Sequence, residues 1–275
     1  MTRQVVRLVR QRGFSGVVRA LYSRVRSLLG MRAKSFRLCE ESIRGKTGIE
    51  IGGPSQVFSR SGVFPVYPIA GRIDNCIFAN TTVWEGEVRE GQTFQYARDR
   101  PAGWQYVAEA TALGRISTAA YDFVLASHVL EHIANPILAL SEWTRVLKDE
   151  GTLVILLPHK DHTFDHRRPV TTMEHLIADH ENHVTEDDLT HMTEILALHD
   201  LNRDPEAGDR ASFVARSRRN FENRCFHHHV FDTPLAVRLV EYAGLQIHAV
   251  EEVPPMHILV VAQKARSAVD SGARQ

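Results

Sequence analysis

Eleven of the fifteen histidines fall between His159 and His229, mixed with Asp161, Asp165, Asp179, Glu181, Asp187, Asp188, Asp200 and Asp204. Imidazole beside carboxylate is suited to taking a proton from a hydroxyl near neutral pH. The same donors also suit a divalent transition metal. His159 follows an apolar run directly, in Leu157-Pro158-His159-Lys160, and Asp165-His166 lie close behind it. These three are the candidate catalytic residues, with the His227–His229 cluster as a further source. In an extended segment those last three alternate faces, so they cannot all serve one site. Apart from the loose His162…His166 spacing, no His-x-x-x-His pair with a partnering acid stands out, and no metal is assigned. His128 and His132 form a second group, in His128-Val-Leu-Glu131-His132. His132 has a plainer role open to it, holding the loop before the next helix.

Strands and helices must bring these groups together. Tyr121-Asp-Phe-Val-Leu-Ala-Ser127 is a short apolar run of β formers, the pattern of a strand buried on both faces. Asn135 is a good N-cap and Pro136 suits a first helical position. Ile137, Leu140, Trp143 and Leu147 then recur at helical spacing, predicting a helix over Ile137 to Lys148. Glu150-Gly151 ends it, and Thr152 to Leu157 reads as a second buried strand, completing a βαβ unit. Upstream, Thr47-Gly-Ile-Glu50-Ile51-Gly52-Gly53-Pro54-Ser55 reads as a strand followed by a Gly-rich turn. Ligands of doubly wound sheets sit beside such a turn, where missing side chains let the backbone approach.

The whole phrase YDFVLASHVLEHIANPILALSEWTRVLKDEGTLVILLPH resembles the middle of a class I S-adenosylmethionine (SAM)-dependent methyltransferase. The resemblance implies an α/β fold with a doubly wound, Rossmann-like sheet of seven strands, and SAM as cofactor. It places Glu50, Gly52, Gly53, Pro54 and Ser55 in the first cofactor motif, although Pro54 and Gln56 stand where the family has two more glycines. Asp74, closing Gly71-Arg72-Ile73-Asp74, would bind the ribose hydroxyls, with Glu85 and Glu87 as understudies; an ordinary turn aspartate is the alternative. In Trp104-Gln-Tyr-Val-Ala108-Glu109-Ala110, a third strand and its turn, Glu109 and Ala110 would meet the adenine, with Leu113 on its wall. Ser127 and His128 would complete the cofactor site. Two prolines in Val63-Phe-Pro-Val-Tyr-Pro68 replace the family's long first helix.

Residues 1–38 hold ten Lys/Arg and no acid, which leaves 23 bases against 33 acids in the rest of the chain. That balance does not support nucleic-acid binding. The stretch 1–30 has the pattern of a basic amphipathic helix, for an anionic membrane surface, for packing on the domain or a partner, or, less fittingly, as a transit peptide. No apolar run approaches the ~20 residues of a membrane span. Three cysteines without ligand-like spacing argue against a disulfide framework or zinc ribbon. The expected organisation is a basic extension (1–38), a SAM-binding core (39–158), a His-rich insertion capping the site (159–230), the end of the sheet (231–266) and a disordered tail (267–275). Helices are expected over Thr171–Asp179, Asp187–His199 and Thr233–Tyr242, and strands over Leu245–Val250 and His257–Ala262.

The pattern of GGPS, TVWEG, DHRRPVTT and HHHVFD also resembles bacterial methyltransferases of surface-polysaccharide assembly. That implies methylation of oxygen on a small-molecule or glycan acceptor in the cytoplasm, including at the inner face of the membrane. The competing readings are a non-catalytic SAM-fold protein and a metal hydrolase built on the histidines. The acceptor and the oligomeric state are not legible.

Overall fold

A computed structural model describes residues 32–266. The expected helix over 1–30 and the tail 267–275 lie outside the described residues. The strands are β1 (Thr47–Ile51), β2 (Arg72–Ile77), β3 (Thr81–Thr82), β4 (Gly86–Glu87), β5 (Gly91–Phe94), β6 (Gly103–Val107), β7 (Tyr121–Ser127), β8 (Leu147–Pro158), β9 (Leu245–Val253) and β10 (His257–Lys264). The helices are α1 (Phe36–Ile43), α2 (Pro136–Val146), α3 (Met173–Glu181), α4 (Met192–Leu198), α5 (Arg210–Arg218), α6 (Asn220–Asn223) and α7 (Thr233–Tyr242).

The main sheet has the order β5-β6-β2-β1-β7-β8-β10-β9. Its middle, β6-β2-β1-β7-β8, is parallel, and β5, β10 and β9 pair antiparallel at the two ends. Eight strands correct the expected seven. The extra one is the edge strand β5, whose Gly-Gln-Thr-Phe sequence buries only Phe94 and carries too little pattern to be read beforehand. From β1 the chain winds outward to β2, then returns to β7 on the other side. The carboxyl ends of β1 and β7 therefore flank a crevice, the usual ligand position in such sheets.

Alternation along the inner strands builds the core. Ile49, Ile51, Val124, Ala126, Ile155 and Leu157 share one apolar cluster with Ile137, Leu140 and Trp143 of α2 and Leu235 and Leu239 of α7. Phe123, Leu125, Val154 and Leu156 point the other way, against Phe36 and Ile43 of α1 and against Phe58, Phe64 and Tyr67. Each such side chain contributes roughly 1.5–3 kcal/mol on burial. The second face has α1 and an irregular, aromatic-rich stretch where the long helix is missing, as the two prolines imply.

Asn135 Oδ1 accepts the Leu138 N–H at 3.0 Å, and Pro136 opens α2. The helix stops at Val146 rather than Lys148 because the chain already joins β8 at Leu147. Glu150, at φ 61°, bends the following turn before the strand continues. Between β8 and α7, the 159–230 insertion carries α3 to α6 and a small apolar cluster of Ile195, Ala207, Phe213 and Phe226. Its second expected helix begins only at Met192, since the Asp188 carboxylate accepts from Thr190 N at 3.1 Å and holds a turn there. Among the described residues, no helix is long and apolar enough to cross a membrane.

Candidate active site

At the crevice lies a cavity of about 310 Å³. The ends of β1, β2, β6 and β7 supply its floor through Ile51-Gly52, Cys76-Ile77-Phe78, Ala108-Glu109-Ala110 and Ser127-His128-Val129. Trp84 and Glu85 come from the β3–β4 turn, His132 and Ile133 from the turn before α2, and Glu186 and Arg224 from the insertion. The volume is at the lower end for small-molecule sites, about 300–1,000 Å³.

Gly52 is bare for a physical reason. Its φ of 76° lies in the left-handed region, and a Cβ there would stand 2.7 Å from Val129 Cγ2. Gly52, Glu109, Ala110, Ser127 and His128, all expected at the cofactor, lie on the cavity wall. Glu50, Gly53, Pro54 and Ser55 stand behind that wall. The Glu50 side chain is fully buried and accepts the Ser55 N–H at 3.0 Å and the Tyr67 hydroxyl at 2.7 Å. Burial pushes its carboxyl up to about 7, against the pull of those donors. Asn75 clamps Gly53 from both sides, accepting its N–H at 2.9 Å and donating to its carbonyl at 3.0 Å. These four residues shape the turn without lining the cavity.

Asp74 is a correction. Strand β2 runs on to Ile77, so Asp74 sits in mid-strand, away from the cavity. Its carboxylate accepts from Arg72 Nε (2.8 Å), Trp104 N (2.7 Å) and the Tyr121 hydroxyl (2.9 Å). Glu85, one of the understudies, occupies the wall instead, its carboxyl raised by burial. Glu109 is also raised by burial, with Arg224 opposing, and accepts from that guanidinium at 2.8 Å. Arg224 reaches Glu186 at 3.1 Å and lies over the Phe78 ring, tying the insertion to the rim.

None of the three expected catalytic residues lines the cavity. His159 turns aside at the end of β8, with Nδ1 accepting the Asp161 N–H at 3.3 Å and Nε2 3.8 Å from Glu252. His166 pairs with Asp200 at 3.0 Å. Asp165 is buried between His227 Nδ1 and Arg168, whose NH1 donates to it at 3.0 Å. Burial works against its charge, but the imidazole and guanidinium outweigh this and hold the carboxyl well below the usual range. Its helper His227 stacks edge-on with His132, ring centres 4.6 Å apart, and so connects it to the cavity wall.

The wall itself carries the proton-handling groups. His132 Nδ1 is 3.2 Å from the Phe226 carbonyl oxygen, which can only accept, so Nδ1 holds the proton and Nε2 the lone pair. Burial, then the neighbouring His227, pushes the His132 imidazole down to about 3 and keeps it neutral. Burial likewise holds His128 well below its ordinary value; its Nε2 is 2.7 Å from His257 Nδ1. Behind both sits Glu131, fully buried, with His128 Nδ1 at 3.5 Å and His132 Nε2 at 4.0 Å. Among the described residues, neither Glu131 oxygen has a hydrogen-bond partner beyond a weak pull from its own backbone N–H. Burial pushes its carboxyl up to about 7, with His227 opposing. The one sequence signal for Glu131 is an acid amid the turn's two histidines. Arg224 and Glu186 gave none, since the insertion's path over the sheet has no short-range pattern.

A family model described as a methyltransferase domain matches residues 28–201, more than half of the chain. None of the curated proteins matches. Among solved structures, the chain is similar to a SAM-dependent methyltransferase from Mesorhizobium loti at 13% identity, covering 84% of this chain and 96% of that one, with a TM-score of 0.48. A SAM-dependent methyltransferase from Aquifex aeolicus is 12% identical over 84% and 89% of the two chains, with a TM-score of 0.43. The 1,6-didemethyltoxoflavin-N1-methyltransferase of Burkholderia thailandensis, with bound 1,6-didemethyltoxoflavin and S-adenosylhomocysteine, is 12% identical over 84% and 79%, with a TM-score of 0.45. The chain belongs to the methyltransferase-domain family.

Proposed function

We propose that the enzyme methylates an oxygen of a polar acceptor, a hydroxyl of a sugar or glycan precursor, held where the cavity meets the 159–230 insertion. The observation that carries this is the neutral His132 on the cavity wall, with its Nε2 lone pair backed by the unpartnered Glu131.

The cavity residues fit the cofactor. Gly52 leaves space for backbone approach, the apolar walls of Ile51, Ile77 and Val129 suit a flat ring, and Glu85, Glu109 and Glu186 against Arg224 leave the lining net acidic. That acidity suits SAM, which carries a sulfonium and an ammonium. Gly52, Glu85, Glu109, Ala110, Ser127 and His128 are the residues we assign to holding it. When bound, SAM supplies an electrophilic methyl group whose leaving group is a neutral thioether.

The chain's own task is then to align the hydroxyl and remove its proton. His132 Nε2 accepts that proton as the oxygen gains the methyl group. Glu131 stabilises the imidazolium that results, and Asp165 positions His227 against the His132 ring. The arginines and acids of the insertion suit a hydroxyl-rich acceptor bearing phosphate. The softer resemblance to enzymes of surface-polysaccharide assembly, and the Arg-rich stretch 1–30, support a glycan precursor at the inner face of the membrane.

Calorimetry with SAM and its demethylated product, followed by labelled-methyl transfer to a panel of nucleotide sugars and lipid-linked glycans, tests the reading. Tight SAM binding and label in a base-stable ether are expected. His132→Ala should lower kcat on the order of a hundred-fold with SAM affinity unchanged. Binding of SAM without transfer to any hydroxyl, or label found only on nitrogen, would overturn it.

A further inference from the structure

Away from the cavity, four donors from three separate stretches of the insertion and its exit converge. His175 and Asp179 lie one turn apart on α3 and share a face, with His175 Nε2 3.2 Å from Asp179 Oδ2. His191, immediately before α4, brings its Nε2 to 3.1 Å from His175 Nε2. His229 is 1% exposed, and its Nε2 stands 3.8 Å from Asp179 Oδ2. One donor atom from each of the four lies within 4.8 Å of the others.

We propose that His175, Asp179, His191 and His229 bind a divalent cation of the zinc class, which fastens α3, the start of α4 and the 227–229 stretch to one another. Donors about 2.0–2.1 Å from zinc at tetrahedral corners stand about 3.3–3.4 Å apart. The two closest pairs, at 3.1 and 3.2 Å, are near that separation, and small shifts bring in the others. Three imidazoles and one carboxylate are a zinc-like donor set.

Hydrogen bonding alone accounts poorly for this cluster. His175 Nε2 carries at most one proton yet faces both His191 Nε2 and Asp179. His229 is worse placed. With Nε2–H donating to the Ala134 carbonyl oxygen at 3.1 Å, Nδ1 holds the lone pair and is the ring nitrogen that would ligate the ion; this buried atom has no hydrogen-bond partner among the described residues. A buried acceptor so left is costly, and a cation is the partner that would satisfy it. His175 and His191 are partly exposed, which gives the ion a way in.

Four protein donors close a tetrahedral shell, so the ion's work is structural rather than catalytic. Its position matters for the active site all the same. His229 N–H donates to the Glu131 carbonyl at 3.3 Å, and its ring reaches Ala134. Fixing His229 therefore braces the turn that carries Glu131 and His132.

The test is metal analysis of the purified full-length protein after dialysis against zinc. About one zinc per chain is expected in the wild type. His175→Ala and His191→Ala should each lose it while keeping their far-ultraviolet circular dichroism, because both side chains are partly exposed. Zinc should raise the wild-type Tm by about 5 °C, and neither variant's. Cobalt(II) in its place should show the visible absorption of a four-coordinate site. Absence of zinc from the wild type overturns the proposal, as does its retention in both variants. Loss of zinc in His132→Ala with retention in His191→Ala would also overturn it, by placing the ion at Glu131, His132 and His227.

Discussion

Two buried acids, one at each side of the crevice, show how alike residues come to do different work. Glu50 on β1 and Glu131 after β7 are both fully buried, and burial raises both carboxyls to about 7. Glu50 has donors in the Ser55 N–H and the Tyr67 hydroxyl, whereas Glu131, among the described residues, has no hydrogen-bond partner on either oxygen beyond a weak pull from its own backbone N–H. Buried polar groups are nearly always paired. Where the chain supplies the partners, the acid shapes a turn. Where it does not, the proposed mechanism gives the acid a charge to stabilise, the imidazolium formed on His132. Asp74, buried with three donors, belongs with Glu50.

The largest expected effect is on stability against pH. A carboxyl near 7 in the folded protein and near 4.5 when unfolded binds more protons folded than unfolded between those values. Stability is therefore full below about pH 4.5 and falls as pH rises through 7, by about 3 kcal/mol for Glu50. Glu50→Gln should remove its share of that slope and leave the share of Glu131, as urea unfolding at pH 5 and pH 8 would show. An unchanged slope would remove Glu50 from the comparison.

Gly52→Val comes next. The left-handed backbone and the 2.7 Å approach to Val129 leave no room for a side chain. SAM affinity measured by calorimetry on folded protein should fall at least tenfold, about 1.4 kcal/mol. Affinity equal to the wild type would place the cofactor elsewhere.

A smaller effect sharpens the rule. Glu85→Gln should weaken SAM binding several-fold, about 1 kcal/mol or less at a partly exposed site, while Asp74→Asn leaves affinity within twofold. The reverse order would restore Asp74 to the cofactor.

The core was legible because its signals are local. The continuous apolar run of β7, the Asn135-Pro136 start of α2 and the Gly-rich turn after β1 each depend on a few adjacent residues. Asp74 misled because the acid looked like a strand end, whereas Asn75-Cys76-Ile77 continue the strand to reach β6. His159 and His166 misled for another reason. Their ring nitrogens face Glu252 (3.8 Å) and Asp200 (3.0 Å) rather than the cavity, and no sequence spacing records that. The residues that do reach the rim from the insertion, Glu186 and Arg224, depend on long-range packing that no spacing records. Glu131 lies between His128 and His132 in sequence. What distinguishes it, a lack of partners, is a property of the folded surroundings and not of sequence.

Turnover of Glu131→Gln and Glu50→Gln, measured side by side at saturating SAM with an acceptor identified from the labelled panel, tests the central claim most directly. The account predicts that kcat falls on the order of a hundred-fold in Glu131→Gln, because the amide cannot stabilise the His132 imidazolium, and stays within about threefold of wild type in Glu50→Gln. Equal losses in both variants, or unchanged turnover in Glu131→Gln, would contradict it.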